Sequence, residues 1–195
     1  RGPAVLALSP TIKVQYNCEA MTATIISEQY ARELAEKALS QAKTLGCTDA
    51  EVGVRGGQGL SITVRNGELE TLEHHQDKSL SITVYLNGSK GSAATTDFSE
   101  TSLQQTISAA SKIAGQSESD KWAGLLEEEF LATDIPDLDL HHDWDRENNE
   151  LIELAVACDR SAKGQDKRIE QVDDTSVNYY RGLSAYANSN GFNGA

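Results

Sequence analysis

A chain of 195 residues with a hydrophobic fraction of 38% can bury one soluble globular core, and no stretch of it reaches the roughly 20 apolar residues of a membrane helix. Aromatic residues make up only 6%, so the core has to rest on Leu, Ile, Val and Ala. A formal net charge of −13, with Lys167-Arg168 as the densest basic run, excludes nucleic-acid or anionic-membrane binding through clustered cations.

Residues 1–20 precede Met21, the single methionine, and their short apolar run Ala4 to Leu8 lacks the length of a signal-peptide core. They are expected to be a disordered leader, with Met21 as the start of the fold. Ser27 is an N-cap candidate with Glu28 in the first turn. Leu34, Ala35, Ala38, Leu39, Ala42 and Leu45 fall at helical spacing before Gly46, which predicts a helix over 28–45. Period-two alternation then predicts an antiparallel meander of about five strands, at 51–55, 59–65, 68–75, 78–86 and 90–96. Asn66-Gly67 and Asn87-Gly88 are two-residue hairpin signals. The segment Leu60 to Val64 recurs as Leu80 to Val84, as expected of neighbouring strands in the same half-buried setting. Ser99 caps a second expected helix over 100–114, and a third is expected over 147–163 after an acidic, Pro136-containing connector at 127–145. In the third helix Leu151, Leu154, Ala155 and Cys158 form the expected buried side. Short strands are expected at 168–172, 176–180 and 183–188, and the chain stops within a strand-turn pattern. The expected architecture is α+β, an antiparallel β-meander with helices packed on one face. Its α+β domain covers 21–165, and a strand-rich region that is cut short starts at 166.

Few residues read as chemistry. Cys18, Cys47 and Cys158 are odd in number and form no CxxC, which fits idle thiols in a reducing compartment. Among the histidines, His74 and His75 are adjacent on a strand and point to opposite faces, so they cannot easily share a metal. His141-His142-Asp143 could place two ligands on one ion, which is a weak site against the plainer reading of a solvated connector. No HExxH and no Gly-x-Ser-x-Gly occurs. Gly53, Gly56, Gly57 and Gly59 lack the Lys-Ser/Thr of a phosphate loop and read as a hairpin turn. Arg65 and Glu68 flank the Asn66-Gly67 turn as an expected cross-strand ion pair.

The run Ser61 to Glu70, with its strand ending in Arg-Asn-Gly-Glu, resembles a block of the TldD/PmbA family, once described as modulators of DNA gyrase. Lys90 to Ser99, ending in Thr-Asp-Phe-Ser, is similar to the next block, and Ala132 to Leu140 resembles the acidic Pro-Asp-Leu-Asp-Leu connector. Asp166 to Ile169 and Asn188 to Gly191 continue the match, which covers Glu28 to the last residue and favours the PmbA (TldE) branch. The resemblance implies the family's amino-terminal fold, and a cytoplasmic heterodimer with a TldD-like subunit that cleaves unfolded or small peptides with zinc. The zinc is expected in that partner, on a HExxxH helix. None is expected in this chain, which would shape the cleft and the interface. The family-motif positions Arg65, Asn66, Gly67 and Glu68 are the candidates for lining the cleft. A peptide-binding adaptor without proteolysis is the alternative.

Overall fold

The computed structural model describes residues 26–195 except 143 and 145. The expected leader, Met21, Cys18 and Asp143 lie outside the described residues. Among the described residues three α-helices and five strands follow one another as α1 (Glu28–Thr44), β1 (Asp49–Arg65), β2 (Glu68–Leu86), β3 (Ser89–Thr95), α2 (Glu100–Gln116), α3 (Asn148–Lys163), β4 (Thr175–Asn188) and β5 (Asn193–Gly194). The strands form one antiparallel sheet in the order β3-β2-β1-β4-β5, an α+β architecture with the helices on one face.

Local chemistry sets the helix ends. Ser27 Oγ accepts the Tyr30 N–H at 3.1 Å at the start of α1. At its end Gly46 takes φ +82°. The Cys47 N–H then reaches Ala42 O at 3.2 Å and the Gly46 N–H reaches Lys43 O at 3.0 Å, a Schellman closure. The buried stripe of α1 is nearly all alanine (Ala31, Ala35, Ala38, Ala42, with Leu34), which lets the helix lie close to the sheet. Lys37 and Gln41 of α1 both bind the Glu100 carboxylate at the head of α2.

The meander has fewer and longer strands than its periodicity suggests. The expected pair 51–55 and 59–65 is one 17-residue strand, and 68–75 and 78–86 are one 19-residue strand. The glycines at 56, 57 and 59 stay extended because neighbours fill the space their missing side chains leave. Ile26 lies 2.7 Å from where a Gly56 Cβ would sit, and the Tyr180 hydroxyl 1.8 Å from the Gly57 position. The two asparagine-glycine turns are two-residue hairpins, with φ of +52° and +79° at Asn66 and Gly67 and +52° and +81° at Asn87 and Gly88. Residues 168–172 form no strand, and 175–188 form a single strand that pairs with β1 from Glu51 to Val64.

The β1–β2 hairpin is roughly 55 Å long at 3.3 Å per residue, and its helix face carries two cores. At its base, α1 and α2 cover Val52, Val54, Leu80, Ile82 and Val84. At its tip, α3 covers Leu60, Ile62 and Val64 with Leu151 and Ala155. The repeated Leu-Ser-Ile-Thr-Val segments therefore lie on neighbouring strands but under different helices, each burying its three apolar side chains. A bulge serves the second core. Val64 pairs with Leu69 and Thr63 with Thr71, which leaves Glu70 as the extra residue and turns both Leu69 and Leu72 toward α3.

The buried side of α3 differs from expectation. Leu151, Ala155 and Asp159 are buried with Ile152 and Val156 beside them, while Leu154 and Cys158 are exposed. The helix is rotated so that its last turn meets the hairpin tip. Lys163 Nζ donates to Asn66 Oδ1 at 3.2 Å, and Asp159 Oδ2 lies 3.9 Å from the Cβ position of Gly67. Between α2 and α3 the chain is extended, apart from a 3-10 turn at Glu128–Phe130. This connector exposes Trp122, Leu126, Phe130, Leu138, Leu140 and Trp144.

Candidate functional site: the uncovered face of the sheet

All three helices lie on one side of the sheet, so among the described residues the other side is open. The strand registers determine what it presents. On β1 it carries the odd-numbered residues Glu51 to Thr63, on β2 Thr71 to Tyr85, and on β4 the even-numbered residues Ser176 to Tyr186. These side chains are mostly hydroxyls, glycines and a few charges, the polar half of the alternation that buries valine and isoleucine opposite.

At one end of this face Glu51 holds two phenols. Tyr85 donates to its Oε1 at 3.0 Å from β2, and Tyr186 to its Oε2 at 2.7 Å from β4. Burial pushes the Tyr85 phenol up to about 12, helped by the Glu51 charge and hydrogen bond. Burial likewise pushes Tyr186 up to about 12, helped by its hydrogen bond to Glu51 and that group's charge. Both phenols stay protonated and serve as donors that fix the carboxylate.

At the middle of the face Arg55 stands between two serines. Ser79 of β2 is directly opposite it on one side and Ser184 of β4 on the other. The row beyond carries Asp77, Gly57 and Gly182, and Tyr180 lies across both glycines. Beside the Tyr180 ring lies a depression of about 510 Å³ lined by Arg55, Asp77, Ser79, Tyr180, Gly182, Leu183 and Ser184. Further along, Ser61 Oγ meets His75 Nε2 at 3.1 Å.

The family-motif positions are elsewhere. Arg65, Asn66, Gly67 and Glu68 form the hairpin tip, and Arg65 lies ten residues, roughly 33 Å, along β1 from Arg55. The expected Arg65–Glu68 ion pair is replaced. Arg65 Nε binds the Glu70 carboxylate at 3.0 Å, with Asp173 at 3.9 Å from Nη1, because the bulge directs Glu70 rather than Glu68 at the guanidinium. Sequence alone could not find the Arg55 row, since residues 55, 79 and 184 are neighbours only through register.

The fit to a metal is poor in the described residues. No group of three or more His, Cys, Asp or Glu side chains there is placed to hold an ion. The strand alternation sends His75 to the open face and His74 to the helix side, and His141 and His142 are exposed on the connector. Cys47 is buried in the larger core and Cys158 is exposed on α3, so these two thiols do not converge.

Residues 50–114 match the family model for the PmbA/TldA metallopeptidase domain 1, and residues 141–195 match that for the PmbA/TldA metallopeptidase central domain. The chain is similar to the metalloprotease PmbA of Escherichia coli O157:H7, with 40% identity over 176 residues that cover 88% of this chain and 39% of that protein. A metalloprotease PmbA homolog of Haemophilus influenzae is 35% identical over 164 residues, 84% of this chain and 36% of the relative. Among solved structures, a protein described as a modulator of DNA gyrase from Bacteroides thetaiotaomicron VPI-5482 superposes with a TM-score of 0.78 at 25% identity, over 87% of this chain and 39% of that one. TldE from Thermococcus kodakarensis shares the fold with a TM-score of 0.65 at 17% identity, over 82% of this chain and 36% of that one. The chain thus spans less than two fifths of the length of these relatives.

Proposed function

Because the chain belongs to the PmbA/TldD metallopeptidase family, we propose that it is the amino-terminal part of a PmbA/TldE-like subunit of a cytoplasmic, zinc-dependent peptidase. It pairs with a TldD-like subunit that carries the zinc on a HExxxH helix, and the assembly cleaves unfolded or small peptides. The observation that carries this reading is the 40% identity to a metalloprotease PmbA across 88% of the chain. The role of this chain is to supply walls and interface to a shared cavity. Two features support that role. The open face offers hydroxyl, guanidinium and phenol donors to a polar polymer such as a peptide. In addition, β3 pairs with β2 only from Leu80 to Leu86, so the outer edge of β2 from Glu68 to Ser79 has backbone groups without a strand partner among the described residues. The net charge of −13 argues against nucleic acid as the ligand.

The test is co-expression of the full-length protein with a TldD-like chain, followed by size exclusion and peptide digestion. A stable complex is expected, with cleavage only in the mixture and none when the partner's HExxxH histidines are replaced. Cleavage by the PmbA-like protein alone, or cleavage that survives that replacement, overturns the division of roles. Peptide capture by the complex with no cleavage under any condition favours a binding adaptor instead.

A further inference from the structure

The row Ser79–Arg55–Ser184 has the chemistry of a monoanion site. Arg55 is exposed, and no ion pair or hydrogen bond engages its guanidinium among the described residues. Directly opposed residues on neighbouring strands have Cβ atoms about 5 Å apart, so the two serines stand on either side of the root of the Arg55 side chain, and all three line one hollow. The rows on either side carry Gly53, and Gly57 with Gly182, so no side chain of β1 stands next to Arg55 on this face. Tyr180, which fills the glycine positions, provides a ring wall at the margin of the hollow.

We propose that this hollow binds the carboxyl-terminal end of an extended peptide, with the carboxylate on Arg55 and the hydroxyls of Ser79 and Ser184. The charge pattern selects the ligand. One guanidinium matches one carboxylate through two parallel hydrogen bonds. A dianion such as phosphate meets Asp77 in the next row and the field of a chain of charge −13. Asp77 is instead placed to accept the amide N–H groups that precede a peptide's terminal carboxylate. The site rests on the peptide-processing reading above and specifies which end of the peptide this subunit holds.

The experiment titrates the chain with trialanine, with trialanine amide and with inorganic phosphate, following backbone amide shifts by NMR. Free-acid trialanine is expected to shift the amides of residues 55, 79 and 184 and to bind at least roughly tenfold more tightly than its amide. Arg55→Ala removes this preference. Arg55→Lys keeps the charge without the planar fork and restores only part of it, and Ser79→Ala with Ser184→Ala weakens it. All three positions are on the sheet surface, so circular dichroism and the urea midpoint of each variant should match the parent. Equal binding of acid and amide, binding unchanged in Arg55→Ala, phosphate binding as tightly as trialanine, or no shift at millimolar peptide would each overturn the proposal. Acid-selective binding without cleavage in the mixed assembly would sink the peptidase reading and leave the site. Cleavage unaffected by Arg55→Ala, with no acid preference, would sink the site and leave the peptidase.

Discussion

At the residue scale, Glu51 joins three strands through two phenols, and this makes the fold sensitive to alkali. Tyr85 and Tyr186 are both held near 12 in the folded chain, against about 10 for a free tyrosine. The folded state therefore binds more protons than the unfolded state between those values. The stabilisation is complete below about pH 10 and is lost as pH rises through about 12. The two phenols are held near the same value, so they contribute comparable shares. The expected result is a urea midpoint that falls between pH 10 and 12 in the parent and falls less in the Tyr85→Phe, Tyr186→Phe double variant. Glu51→Gln should bring both phenols down, read from tyrosinate absorbance. Titration of all six tyrosines together near pH 10 would show that the clamp does not hold in solution. Arg65 teaches a related lesson. The two-residue turn was legible in Asn66-Gly67, but the ion-pair partner was not, because a bulge shifts the register by one residue beyond the turn.

At the element scale, the helices were readable almost to the residue because their signals are local. Ser27, Ser99 and Gly46 act on backbone groups within a few positions of themselves. The strands were divided wrongly because a glycine run looks like a turn unless its cross-strand neighbours are known, and Tyr180 is more than 120 positions away from Gly57. The buried side of α3 was misread for a similar reason. Cys158 looks more apolar than Asp159, but the hairpin tip, distant in sequence, decides the rotation. Gly91 shows how tightly one such contact is built. A Cβ there would lie 2.2 Å from Ala110 O and 2.4 Å from Ala114 N, both backbone atoms of α2 that cannot turn aside. Gly91→Ala should therefore lift α2 from β3 and cost about 1–3 kcal/mol, the usual range for overpacking. An unchanged urea midpoint would mean that the helix can shift freely. Gly115→Ala is the control, since nothing lies within 4 Å of its Cβ position and alanine favours a helix.

At the scale of the whole molecule, one sheet ties together the two family segments, 50–114 and 141–195, because β4 of the second pairs with β1 of the first along nearly its whole length. The fold class was readable in advance, since hydrophobic period and turn chemistry agree over most of the chain. The packing of helices on one face was also expected, but which residues share the open face was not, because strand register across three distant segments decides it. The connector between α2 and α3 has a spectroscopic consequence. It carries both tryptophans of the chain, Trp122 at 82% exposure and Trp144 at 41% against Tyr179. Fluorescence excited at the indole band therefore reports on the connector, and on the sheet only where Trp144 packs against Tyr179 of β4. Native emission should already be red-shifted, and it should change little across the urea transition that abolishes the far-ultraviolet dichroism. A strongly blue-shifted native spectrum would mean that the indoles are covered in solution. With the expected spectrum, any ligand or subunit that blue-shifts the emission has touched the connector, so the indoles form a built-in docking reporter that needs no label.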